Sequence, residues 1–94
     1  PDWSAGVTIP VPVSASPYTV PYDGFYVACF FGKESSTMSL YVNNIKTAMM
    51  HSSALADRLN KSSLFIPLRK GDIIYFDGEL HDTQGSSYYP VRSN

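Results

Sequence analysis

The chain has 94 residues, of which 44% are hydrophobic, 14% aromatic and only 16% charged, against about 25% charged in an ordinary soluble domain. The formal net charge is −1, so there is no electrostatic case for a nucleic-acid backbone or an anionic membrane, and no run of about 18 apolar residues to cross a bilayer. A chain of this length holds one domain with a modest core, and so little charge on it predicts self-association to cover apolar surface.

Period-2 alternation dominates the chain and helical periodicity is nearly absent. Val7, Ile9, Val11 and Val13 alternate with Thr8, Pro10, Pro12 and Ser14, which predicts a half-buried strand. The two prolines lack a ladder donor and place it at a sheet edge. Residues 18–20 form a short extended piece, and Pro21-Tyr22-Asp23-Gly24 is turn chemistry. Residues 25–31 are the most apolar strand, followed by a polar loop over 32–37. Met38, Leu40 and Val42 alternate with Ser39, Tyr41 and Asn43. Asn43-Asn44 suits a tight hairpin, and Ile45, Thr47 and Met49 begin the returning strand. Residues 51–62 read as a long connection with about one helical turn. Further strands are predicted over 63–68 and 73–76, with a turn at Arg69-Lys70-Gly71-Asp72 between them. Asp77-Gly78 is a further turn, residues 80–87 a polar loop or weak strand, and residues 88–92 the last strand. About eight short strands with frequent turn signals predict an all-β sandwich or barrel.

Two strands break the alternation. In one, Phe25, Val27, Cys29 and Phe31 point one way while Tyr26, Ala28 and Phe30 point the other. Residues 73–76, Ile-Ile-Tyr-Phe, are likewise apolar on both faces. A two-layer domain covers one face of a strand, so the second face is expected to be covered by a neighbouring copy. Tyr26, Ala28, Phe30, Ile74 and Phe76 are taken as the interface row, although periodicity does not itself say which row faces the core. Cys29 is the single cysteine; it has no intrachain partner and reads as a small buried hydrophobe.

Catalytic and metal-binding patterns are missing from the sequence. It holds no nucleophile elbow, phosphate loop, dinucleotide fingerprint or zinc spacing. Glu79 and His81 in Asp-Gly-Glu-Leu-His-Asp (residues 77–82) would share a face of a strand, but the segment reads as a solvated hairpin, and no cofactor or metal is assigned. Binding rather than catalysis is therefore expected. The material for it is aromatic: Trp3, Tyr22, Tyr88 and Tyr89 at loops or strand ends can stack on the apolar faces of sugars. His81, Asp82 and Gln84 in the adjoining polar segment complete the candidate receptor-binding set.

The segments YTVPYDGFYVA (18–28), LYVNN (40–44) and SLFIPLRKGDIIYF (63–76) resemble the jelly-roll heads of the tumour necrosis factor and complement globular-head superfamily. The positions that match are Pro21, Gly24, Phe25 and Tyr26, then Leu68, Gly71 and Asp72. The opening PDWSAGVTI (1–9) and closing YYPVR (88–92) are similar to the compact C-terminal heads of bacteriophage tail fibres. The resemblance implies a trimeric jelly roll over residues 1–94, expected to be the C-terminal part of a longer fibre protein. It also implies a place at the tip of the virion's fibre, outside the cell, and a host surface glycan or protein as partner. The alternative it leaves open is a trimerisation cap with no ligand; a carbohydrate-active enzyme ranks last.

Overall fold

The computed structural model describes residues 1–32, 36–52, 60–78 and 83–92. A 3₁₀ turn (Trp3–Ala5) is followed by eight strands among these residues: β1 (Val7–Thr8), β2 (Tyr18–Thr19), β3 (Gly24–Gly32), β4 (Ser36–Val42), β5 (Ile45–Ser52), β6 (Asn60–Leu68), β7 (Ile73–Gly78) and β8 (Thr83–Pro90).

The pairing is nested. β4 pairs with β5, β3 with β6, β2 with β7 and β1 with β8, all antiparallel. The chain is thus one long antiparallel ribbon centred on the β4–β5 turn. The ribbon rolls up until β3 meets β8 and β4 meets β7. Two four-stranded sheets result, a first sheet in the order β1-β8-β3-β6 and a second in the order β2-β7-β4-β5. This is a jelly roll, and the expectation of an all-β sandwich holds.

The N-terminal stretch departs from the expected single strand. Only Val7 and Thr8 pair with β8, at the edge of the first sheet. The chain then crosses the side of the sandwich, and Val13 bridges to Phe76 of β7 in the second sheet, with the Phe76 amide donating to the Pro12 carbonyl at 2.9 Å. Pro10 and Pro12 cannot donate to a ladder, so the strand cannot continue and the chain can change sheets there.

Three connections are shorter than the sequence suggests: β3 runs to Gly32 and β4 begins at Ser36, where a loop over 32–37 is expected. β5 runs to Ser52 and β6 begins at Asn60; the helical turn expected between them falls on residues 53–59, outside the described residues. Residues 83–87 belong to β8, which lies between β1 and β3. Its Gly85-Ser86-Ser87 sequence has little strand propensity of its own, and pairing on both sides holds it extended.

The turns at one end are laced together. Asn43 and Asn44 have φ of 52° and 66°, the positive pair of a type I′ hairpin. The Asn43 side chain accepts from the Ile73 amide at 3.0 Å and donates to Asp72 at 2.9 Å. Asp72 also accepts from the Arg69 amide at 2.8 Å, while Asp23 accepts from the Lys70 amide at 2.8 Å. Gly71, at φ 93°, makes the bend that a side chain would strain. Asp77-Gly78, expected as a turn, closes β7 instead. There Gly78 has φ 117°, and a Cβ on it would lie 2.4 Å from the Thr37 carbonyl oxygen.

Between the sheets lie Tyr26, Ala28 and Phe30 of β3, Met38 and Leu40 of β4, Ile74 and Phe76 of β7, Leu68, Tyr88, Ile9 and Val20. The five residues taken as the interface row, Tyr26, Ala28, Phe30, Ile74 and Phe76, are therefore core residues of the single chain, each 3% exposed or less. The row is polar enough to be ambiguous by sequence only because of the Tyr26 hydroxyl, and that hydroxyl is satisfied internally by Ser86 at 2.8 Å. That row is therefore not available to a partner chain.

Candidate functional site

The first sheet turns outward Phe25, Val27 and Cys29 of β3, Ser63, Phe65 and Pro67 of β6, and Gly85, Ser87 and Tyr89 of β8. Phe25 stands opposite Tyr89 on one side and Pro67 on the other; Val27 stands opposite Ser87 and Phe65. Trp3 is brought onto this face from the N-terminal turn. Asp2 caps the turn by accepting from the Ser4 amide at 3.0 Å, and the Asp2 amide donates to the Pro90 carbonyl at 2.9 Å, which ties the turn to the end of β8. The Trp3 ring then meets Tyr89 edge-on at 4.8 Å and Phe65 at 6.3 Å, and Phe65 stacks on Phe25 at 5.0 Å and 21°. Gly6 makes room for Tyr89: a Cβ there would sit 2.1 Å from the ring.

The result is a four-ring surface of Trp3, Tyr89, Phe25 and Phe65, with Trp3 59% and Phe65 52% exposed. Val27 and Cys29 continue it along β3, and both are half-buried rather than enclosed. Ser63, Gly85 and Ser87 hold outward positions beside them in the register. The four rings and these neighbours, residues 27, 29, 63, 85 and 87, carry no charge.

The second sheet presents a different surface. Tyr41 of β4 is opposite Tyr75 of β7 and Lys46 of β5; one row away, Ser39 is opposite Asp77 and Met49. The Tyr41 and Tyr75 rings stack nearly parallel, 5.1 Å apart at 6°. The Tyr75 hydroxyl donates to the Asn44 side chain at 3.3 Å.

Of the aromatic candidates from the sequence, Trp3 and Tyr89 come together at the surface. Tyr22 and Tyr88 do not join them. Tyr88 is fully buried, donates to the Tyr22 carbonyl at 2.6 Å, and packs against the Tyr22 and Tyr18 rings at 5.3 and 6.0 Å. Burial pushes its phenol well above the usual range, with Tyr18 and Tyr22 adding to the rise. Burial also raises Tyr26, to about 12, against a smaller opposing effect from its bond to Ser86. Tyr26 and Tyr88 are packing elements with satisfied hydroxyls. His81 and Asp82, with Glu79, lie outside the described residues; Gln84 falls in β8, and its side chain is also outside the description.

Phe25, Phe65, Tyr41 and Tyr75 were not among the candidates. Phe25 and Phe65 read as core because they sit in apolar strands. Tyr41, between Leu40 and Val42, carried an available signal as the polar-tipped outward member of an alternating strand, whereas Tyr75, in the doubly apolar stretch 73–76, carried none.

No family model matches the chain, and no curated protein matches it. Among solved structures it is similar to the native structure of a family 35 carbohydrate-binding module from Clostridium thermocellum, at 12% identity over 92% of this chain and 88% of that one, with a TM-score of 0.48.

Proposed function

We propose that this domain is a homotrimeric recognition head, of the kind that tips a bacteriophage tail fibre, and that it binds a host cell-surface glycan rather than catalysing a reaction. The observation that supports it is the uncharged ring surface of Trp3, Phe25, Phe65 and Tyr89 on the first sheet. Monomers seldom leave so apolar and contiguous a surface in water. Aromatic enrichment with no charge is the composition of a buried interface centre, where Trp and Tyr contribute most. Three copies closing around an axis would cover Trp3, Phe25, Phe65 and Tyr89 and leave the second sheet and the end loops free. The tail-fibre setting and a place outside the cell follow from the sequence resemblance.

Binding is tested on intact host cells, on polymeric surface glycan and on free monosaccharide. The domain is expected to hold cells and polymer and to ignore the monosaccharide, because weak sites gain roughly 10²–10⁴ in apparent affinity when three act together. If it holds no host surface, and deleting it from the parent fibre prevents assembly, its function is that of a trimerisation cap.

A further inference from the structure

We propose that the outer face of the second sheet is a carbohydrate-binding surface that takes a neutral polysaccharide, laid against the stacked Tyr41–Tyr75 pair and along the dip at Ser39. This rests on the reading that the domain binds surface glycan, and it assigns that binding to residues of the frame rather than to the end loops.

The two rings are fixed before any ligand arrives. They stand opposite each other on β4 and β7, 5.1 Å apart and nearly parallel, both half-buried, and Asn44 holds the Tyr75 hydroxyl. Little side-chain freedom is left to lose on binding. The face of an aromatic ring is electronegative and accepts the electropositive C–H edge of a pyranose ring.

Next to the pair the surface dips. Ser39 is only 9% exposed, whereas its neighbour Met49 is 63% exposed and Asp77 is also exposed. Asp77 can accept from sugar hydroxyls and Lys46 can donate to them. One cation and one anion flank the rings, so neither a polyanion nor a polycation is favoured and the matching polymer is neutral. Charges of both signs also distinguish it from the first sheet's face, where a second copy is the better occupant. With that face covered, the Tyr41–Tyr75 face of each copy points away from the axis, giving three sites on one head.

The test uses the 94-residue domain on an array of purified neutral glucans, galactans, mannans and rhamnans, with polygalacturonate as the polyanion. The wild type is expected to hold at least one neutral polymer. Tyr41→Ala and Tyr75→Ala should each weaken it by about tenfold or more, the equivalent of about 1.4 kcal/mol. Tyr75→Phe, which keeps the stack and loses one exposed hydrogen bond, should stay within about threefold. Light scattering should show the same mass for all variants. Titration should shift the Met49 methyl resonance and leave the Trp3 indole, on the opposite face, unmoved. If the wild type binds a polymer and the two alanine variants bind it equally well, or binding is lost with Trp3→Ala instead, the site is wrong and the glycan reading stands. Binding to polygalacturonate alone overturns the neutral class. If the wild type binds no polymer, the glycan reading itself fails.

Discussion

The two outer faces of this sandwich come from strands of similar hydrophobicity, yet they differ in one respect that decides what each can do. On the first sheet Trp3, Phe25, Phe65 and Tyr89 make a continuous ring surface whose register neighbours Val27, Ser63 and Ser87 are uncharged. On the second, the Tyr41–Tyr75 stack is bordered by Lys46, Asp77 and Ser39. Desolvating the first removes apolar area from water and little else. Desolvating the second strips two exposed charges, which a protein partner would have to match and a polyhydroxylated ligand need not. A single outward row is therefore not evidence for one kind of partner; the neighbours across the strands set it.

The contrast between inward and outward rows is sharpest within β3. Tyr26→Asp places an unpaired charge at a fully buried position and is expected to cost more than about 5 kcal/mol, comparable with the whole stability of such a domain. Far-ultraviolet circular dichroism should show an unfolded chain. Phe25→Asp, one residue earlier and on the other face, should leave the spectrum folded and reduce the mass. A charge at the same depth on the second sheet, Tyr75→Asp, should change neither. A loss of mass with Tyr75→Asp would break the distinction between the faces.

The core beneath both faces predicts an alkaline limit. The neutral phenol is the form that the core accommodates, so the folded chain keeps the Tyr26 proton to higher pH than the unfolded chain does. Folded-state affinity for that proton is raised, to about 12, so stability is full below about pH 10 and is lost as pH rises toward 12. The loss is roughly 2–3 kcal/mol from this group. Tyr26→Phe should flatten that part of the curve of unfolding free energy against pH, at the expense of the Ser86 hydrogen bond.

Two turn substitutions are expected to act mainly on stability; Asp72→Ala leaves both ring surfaces in place, and Asn44→Gly also frees the Tyr75 hydroxyl. Asp72→Ala removes acceptors from the Arg69 amide and the Asn43 side chain and should cost roughly 1–3 kcal/mol, read as a lower thermal midpoint. Asn44→Gly keeps the left-handed conformation and loses one 3.3 Å bond to Tyr75, so unfolding free energy should move by about 0.5 kcal/mol or less.

The strand positions were legible because each leaves a local mark. Alternation shows β4, the Asn43-Asn44 pair shows its turn, and Gly71-Asp72 shows the next. The doubly apolar character of β3 was also legible, but its parity was not. Phe25, Val27 and Cys29 are as apolar as Tyr26, Ala28 and Phe30, and hydrophobicity alone ranks a tyrosine as the outer residue. What turned Tyr26 inward is Ser86, sixty residues away, a partner that only the fold supplies. The surface sites were unreadable for the same reason. Tyr41 meets Tyr75, and Trp3 meets Phe65, through register between strands distant in sequence. Tyr88 was misread as a surface ring because a strand end in sequence is, in this fold, a position over the core.

The most direct test of the first sheet as the covered face is the mass of the domain at micromolar concentration, by light scattering, for the wild type beside Phe65→Asp. The wild type is predicted to have three times the mass of one chain, and Phe65→Asp the mass of one chain with an unchanged circular dichroism spectrum. A wild type that remains a folded monomer, or a Phe65→Asp variant that keeps the wild-type mass, would contradict the account.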